Sequence, residues 1–256
     1  MQVVAIIPAR YASTRLECKL LLDLAGKSVL QRTYEQACKA KYLKQVIIAT
    51  DDQRIFDHAR SFGAEVFMTS LEHKSGTDRI AELAKQNPDW SIIVNVQGDE
   101  PMINPDDIDK AIEPFLHDPL CQMTSLYHCI NDLDEINNPN NVKVVINANG
   151  EAMYFSRSVI PYESSKAVRL EGTKASDTAL EPYSLRAFKH IGLYAYTRDS
   201  LLQLASLPQS ELEKLEQLEQ LRALDNGIKI KMLEVKSAPI GIDTVEDYNK
   251  AQELLG

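Results

Sequence analysis

The strongest constraint on this chain's fold is a rhythm in its first 120 residues. Val3–Ile7, Gln45–Thr50, Ala64–Thr69 and Ser91–Gln97 are short apolar runs, rich in valine and isoleucine. Between them lie helix-like segments with their own start and stop signals. Ser28–Ala40 is one. Arg54–Phe62 follows Asp51-Asp52 and stops at Gly63, Ser75–Lys85 is opened by Ser75-x-x-Asp78, and a further helix begins at Asn104-Pro105-Asp106-Asp107. Serine, aspartate and asparagine side chains accept from the unpaired N–H groups of a first helical turn, and proline at the first position lacks only an N–H that would go unpaired. Strands alternating with helices predict an α/β fold with a parallel central sheet and helices on both faces. Ligands of such sheets bind beyond the carboxyl ends of the strands. Arg10–Lys19, Thr50-Asp51 and Gln97–Glu100 each follow a strand end, so they are predicted to share one crevice.

The second half is more mixed. Met123–Cys129, Val142–Ile146, Met153–Phe155, Ile191–Tyr196 and Ile228–Val235 read as strands, and Thr244–Leu255 reads as a last helix opened by Thr244-x-x-Asp247. Leucines at 212, 215, 218, 221 and 224 drift around a helix by about 60° per step. The segment 211–224 is therefore predicted to be a helix buried on several sides and not a coiled coil. Residues 163–182 are polar and pattern-poor and read as a mobile loop. No shift in composition marks a boundary, so residues 1–256 read as a single domain.

Charge and apolar runs exclude several classes. With 28 Lys plus Arg against 37 Asp plus Glu, the chain lacks the basic face that a nucleic-acid backbone requires. No apolar run approaches the roughly 20 residues of a membrane span. Met1–Pro8 reads as a buried strand and not a signal peptide. Cys18, Cys38, Cys121 and Cys129 form no C-x-x-C pair and read as reduced thiols of a cytosolic protein.

Against that acidic background, Arg10, Arg15 and Lys19 crowd a single strand end, with Ser13 and Thr14 among them. Cations, small hydroxyls and backbone amides suit phosphate oxygens, although no Walker A or G-x-G-x-x-G motif is present. Gln97-Gly98-Asp99-Glu100-Pro101 is an acid-capped turn that can also supply a metal carboxylate. Gly241-Ile242-Asp243-Thr244 caps a helix and can supply a second one. Mg²⁺ commonly takes one or two carboxylates, completed by phosphate oxygens and water.

Eight motifs then occur in order: P-A-R-Y-A-S-T-R-L-x-x-K, A-T-D-D, S-G-T-D-R, V-N-V-Q-G-D-E-P, Y-F-S-R, K-H-I-G-L-Y-A-Y, L-E-Q-L-R and D-T-x-E-D. Over essentially its whole length the chain resembles the 3-deoxy-manno-octulosonate cytidylyltransferases. The resemblance implies transfer of CMP from CTP to the anomeric hydroxyl of 3-deoxy-D-manno-octulosonate (KDO), with release of pyrophosphate, for lipopolysaccharide assembly. It implies a nucleotide-diphospho-sugar transferase fold with a smaller dimerisation and substrate subregion, in a Mg²⁺-dependent homodimer. Residues 1–120 would be mainly the nucleotide half, and 121–256 mainly the sugar-binding and dimerisation half. Arg10, Ser13 and Lys19 would hold the triphosphate. Pro8, Ala9, Ser75, Gly76 and Thr77 would read the cytosine. Asp99 and Asp243 would bind Mg²⁺. Gln97, Arg157, His190, Glu219 and Gln220 would shape the sugar pocket, with Arg157 on the KDO carboxylate.

The chain also departs from the family pattern. Glu17-Cys18 stands where R-L-P-G-K-P is usual, which predicts a loop that closes differently and holds CTP less tightly. Ala238–Asp243 stands where P-G-x-G-V-D is common. Alternative readings are a cytidylyltransferase for 8-amino-KDO or a sialic acid, and a nucleotide-binding regulator without catalysis.

Overall fold

The structure is a computed structural model of the 256-residue chain, and it describes residues 1–12, 16–162 and 187–255. The expected mobile loop 163–182, Ser13 and Arg15 lie outside the described residues.

β1 (Val3–Ala9) is the axis of the sheet. It pairs in parallel with β4 (Gln45–Thr50) on one side and β6 (Ile92–Asn95) on the other, and β5 (Glu65–Met68) continues in parallel beyond β4. The sheet then changes sense. β10 (Ala187–Thr197) runs antiparallel to both β6 and β7 (Met123–Ile130), and β11 (Ile230–Glu234) closes the far edge parallel to β7. The resulting order is β11-β7-β10-β6-β1-β4-β5, and β8 (Lys143–Ile146) with β9 (Ala152–Ser156) branches off β10 as an antiparallel extension. A short hairpin, β2 (Asp23–Leu24) with β3 (Lys27–Ser28), stands apart.

Two cores follow from the period of a strand, which sends successive side chains to opposite faces. Val3, Ala5, Ile7 and Ala9 join α1 (Val29–Ala37), α2 (Gln53–Ser61), α4 (Pro105–His117) and the final helix, α9 (Val245–Leu255), in one layer. Val4 and Ile6 join α3 (Gly76–Gln86) and α6 (Arg198–Ser206) in the other. A five-residue helix, α5 (Leu133–Asn137), contributes Ile136 to a small satellite cluster. The caps expected from sequence are in place: Ser75 and Asp78 form a reciprocal capping box, Asn104 accepts from the Asp106 N–H with Pro105 at the first helical position, and Gly63 ends α2 at φ +79°. All four cysteines are free, and among the described residues no helix is long and apolar enough to cross a membrane.

One expectation fails in an instructive way. The segment 211–224 is not a single helix. It is α7 (Glu211–Glu216) and α8 (Gln220–Asp225), separated at Gln217, whose φ of 54° is left-handed and ends the first helix. The turn brings Arg222 onto Glu213 in a bidentate pair, with Nε–Oε2 at 2.8 Å and Nη2–Oε1 at 2.5 Å, both side chains being buried. A straight helix would hold these groups nine residues apart along its axis. Removing one member of a buried pair strands the other charge, which typically costs about 3–5 kcal/mol. Arg222→Ala is therefore expected to lower unfolding stability by that order in urea titration, whereas exchanging the exposed Lys214–Glu211 pair should cost less than about 1 kcal/mol.

Candidate active site

β1 and β6 are parallel neighbours, so the segments leaving both emerge at the same end of the sheet. The first turn of α3 reaches that end too, and the packing there is at backbone distance. A Cβ on Gly76 would lie 3.2 Å from Pro8 Cγ, and a Cβ on Gly98 would lie 3.3 Å from the Pro8 carbonyl oxygen. Pro8 is thus wedged between two turns where a Cβ would have to push its neighbour back by a few tenths of an ångström. Above it opens a cavity of about 420 Å³, walled by Pro8, Ser75 and Gly76 on one side and by Gln97, Asp99 and Lys19 on the other.

The charged centre of this cavity is Lys19. It sits in a one-turn 3-10 helix, Lys19–Leu21, and its ammonium bonds Asp99 Oδ2 and lies 2.9 Å from Asp243 Oδ1. Burial alone would lower its pKa, but the charges of and hydrogen bonds to the two aspartates outweigh that and hold it above the ordinary lysine value. The distant Asp243 arrives by a backbone stitch: Ile242 N–H donates to the Asp99 carbonyl at 2.9 Å, and the Asp243 and Thr244 N–H groups donate to Asp247 at the start of α9. Two carboxylates converging on one cation also suit a divalent ion that takes its remaining ligands from phosphate and water. Among the described residues no group of three or more metal-ligating side chains is assembled, so these two aspartates are the protein donors on offer.

Beside them, burial and the neighbouring Asp99 charge push the Glu100 carboxyl up to about 8. This favours its protonated form, and its buried Oε2 has no partner among the described residues. Sequence reading passed over Glu100, and nothing in a D-E dipeptide distinguishes a buried acid from an exposed one.

The other expected residues distribute as follows. Arg10 stands at the cavity rim and donates to the His73 carbonyl at 2.9 Å. Ala9 is buried at the end of β1. Thr77, also buried, donates to Glu219 Oε2 at 2.7 Å, which ties α3 to the α7–α8 corner. A second cavity of about 510 Å³ begins there and shares Lys74 and Ser75 with the first. Gln97 Nε2 donates to the Gly192 carbonyl of β10 at 3.3 Å. His190 lies on β10, with its ring edge-on to Phe155 at 4.9 Å, and burial lowers its pKa to about 3. Gln220 is buried, and its Nε2 has no partner among the described residues. Arg157 stands apart. Its guanidinium donates to the carbonyls of Glu216, Pro139 and Gln217, so three of its five N–H groups are engaged with backbone. The arginine of S-G-T-D-R is structural: Arg79 is buried and binds Asp51 of A-T-D-D at 2.6 Å. Lys74, which borders both cavities, was missed by sequence reading, although its place directly before Ser75 was the available signal.

The cavity lies at the carboxyl end of a parallel sheet, with a helix start on one wall and a cation between two carboxylates on the other. A family model described as Cytidylyltransferase matches residues 4–230. A protein named 3-deoxy-manno-octulosonate cytidylyltransferase from Trichlorobacter lovleyi is 50% identical over 100% of this chain and 99% of its own. One of the same name from Geobacter sulfurreducens is 46% identical over 100% of both. A solved structure described as CMP:2-keto-3-deoxy-manno-octonic acid synthetase complexed with CTP superposes with a TM-score of 0.88 at 38% identity, covering 100% of this chain and 98% of that one. The chain belongs to the cytidylyltransferases and, among them, to the 3-deoxy-manno-octulosonate cytidylyltransferase family.

Cys18, immediately before Lys19, has φ 53° and ψ 25°, a left-handed conformation. This accounts for glycine being usual there, since a side chain costs roughly 1–2 kcal/mol in that region, partly offset by the greater unfolded-state entropy of glycine. Cys18→Gly is expected to raise stability by up to about 1 kcal/mol in chemical denaturation. A loss of stability would mean that the thiol's contacts outweigh the backbone cost.

Proposed function

We propose that this chain transfers CMP from CTP to the anomeric hydroxyl of KDO and releases pyrophosphate, working with Mg²⁺ as a cytoplasmic homodimer that feeds lipopolysaccharide assembly. The observation that carries this reading is the meeting of Lys19, Asp99 and Asp243 above Pro8 and Gly76 in a chain whose relatives bear that enzyme's name.

The chemistry asks for little covalent help from the protein. Attack at the α-phosphorus needs charge neutralised on the transferred group and on the departing pyrophosphate, and it needs the two substrates aligned. When bound, Mg²⁺ would supply positive charge at the phosphates and lower the pKa of the attacking hydroxyl. Asp99 and Asp243 would hold that ion. Lys19, Arg10 and Ser13 would meet the triphosphate. The tight contact of Pro8 with Gly76 leaves room for a flat base against backbone, where Pro8, Ala9 and the 75–77 turn would read cytosine by main-chain groups. Gln97, His190, Glu219 and Gln220 would shape the sugar pocket from β10 and the α8 start. Arg157 would meet the KDO carboxylate through the Nη1 and Nη2 hydrogens that its three carbonyl contacts leave unused.

Purified protein incubated with CTP, KDO and Mg²⁺ is expected to release pyrophosphate well above single-substrate controls, and 8-amino-KDO and a sialic acid in the same assay read the sugar preference. No release above controls with any of the three acids would end this reading. Asp99→Asn is expected to lower kcat by about 100-fold or more with an unchanged circular dichroism spectrum. A near wild-type rate would remove Asp99 from the metal site.

A further inference from the structure

Ser125 is a buried residue of β7 whose hydroxyl faces three groups of β10. Its Oγ lies 2.9 Å from His190 Nε2, 3.0 Å from the Leu193 carbonyl oxygen and 3.2 Å from the Ile191 carbonyl oxygen. These partners flank an irregularity, because the β7–β10 register shifts between Ile191 and Tyr194. The same bulge carries Gly192, whose carbonyl accepts from Gln97, a wall of the 420 Å³ cavity. Ser125 therefore grips the segment that links His190 to the cavity.

Proton counting decides how it grips. A serine hydroxyl has one proton and two lone pairs, and a carbonyl oxygen can only accept. If the proton went to His190, both carbonyls would face lone pairs at hydrogen-bond distance. Given to a carbonyl, the proton leaves a lone pair directed at Nε2, and that nitrogen must then carry hydrogen. Packing of the ring against Phe155 and Tyr194 keeps the imidazole neutral, consistent with its lowered pKa. In a neutral imidazole a protonated Nε2 means a bare Nδ1, and the described residues offer Nδ1 no hydrogen-bond partner.

We propose that Ser125 is a positioning residue that locks His190 as its Nε2–H tautomer, so that Nδ1 is presented as an acceptor for a hydroxyl of the sugar acid. The sugar half of this proposal rests on His190 belonging to the sugar pocket as read above; the tautomer half does not. A lock of this kind selects ligands by donor direction, because an acceptor nitrogen pairs with a hydroxyl and repels a carboxylate or carbonyl oxygen.

The test combines ring ¹⁵N–¹H correlation spectra of histidine-labelled protein with steady-state kinetics. Wild-type His190 is expected to show one tautomer, Nε2–H, with no titration between about pH 5 and 8. An Nδ1–H form, or a protonated ring near neutrality, overturns the proposal without any variant being made. Ser125→Ala is expected to mix the tautomers and to raise KM for KDO about 5–10-fold, the scale of one lost hydrogen bond, with KM for CTP within about twofold. Ser125→Thr, which keeps the hydroxyl, is expected to restore both readouts. An unchanged tautomer in Ser125→Ala overturns the lock. A shifted tautomer with unchanged KM for KDO overturns the placement of Nδ1 on the sugar acid, and with it the assignment of His190 to that pocket.

Discussion

A single ammonium group ties three remote parts of the chain into one site. Lys19 comes from the segment after β1, Asp99 from the turn after β6 and Asp243 from the approach to the last helix, and the lysine bonds both carboxylates. Without a cation between them the two carboxylates would repel, the more so on the partly buried Asp99 side. The partial burial of the lysine stem makes the trade worthwhile in one direction only: desolvation works against the charge, and two acids restore it. The backbone bond from Ile242 to Asp99 keeps this arrangement from depending on long side chains alone. Glu100, buried beside Asp99, is pushed toward its neutral form.

The rest of the crevice is shaped around that centre by close backbone packing. Pro8 against Gly76 and Gly98 sets the spacing of β1, α3 and the β6 turn. The Arg79–Asp51 pair binds α3 to the end of β4, and Thr77–Glu219 binds it to the α7–α8 corner. The helix start at Ser75 is consequently held from three directions. This suits a wall that recognises a flat base through main-chain groups, where a shift of 1 Å would cost much of the alignment.

Much of this was legible in the sequence, for identifiable reasons. Gln45–Thr50 was read with its observed boundaries, because a fully buried strand is an uninterrupted apolar run with a polar turn behind it. The capping box at Ser75 and the cap at Asn104 were legible because they are local, a side chain bonding backbone two or three residues on. Non-local pairings were not. The break at Gln217 accompanies the pairing of Arg222 with Glu213, and a leucine every third residue carries no trace of it. The β2–β3 hairpin was missed because its strands are two residues each and show no alternation. Arg157 reads as a ligand-facing cation at a strand end, but the carbonyls that engage it belong to a helix end that only the tertiary fold brings near. The crevice was foreseeable in part from strand ends, since parallel neighbours deliver their following loops to the same edge: Arg10, Lys19 and Gln97–Asp99 line it, whereas Thr50 is buried and Asp51 pairs with Arg79 away from the lining.

The most direct test of the central claim is anomalous diffraction from crystals grown with CTP and Mn²⁺. The account expects a manganese peak bonded to both Asp99 and Asp243, with the Lys19 ammonium moved from the carboxylates onto the triphosphate. A peak away from these two aspartates, or a nucleotide bound elsewhere while Lys19 stays between them, would contradict it.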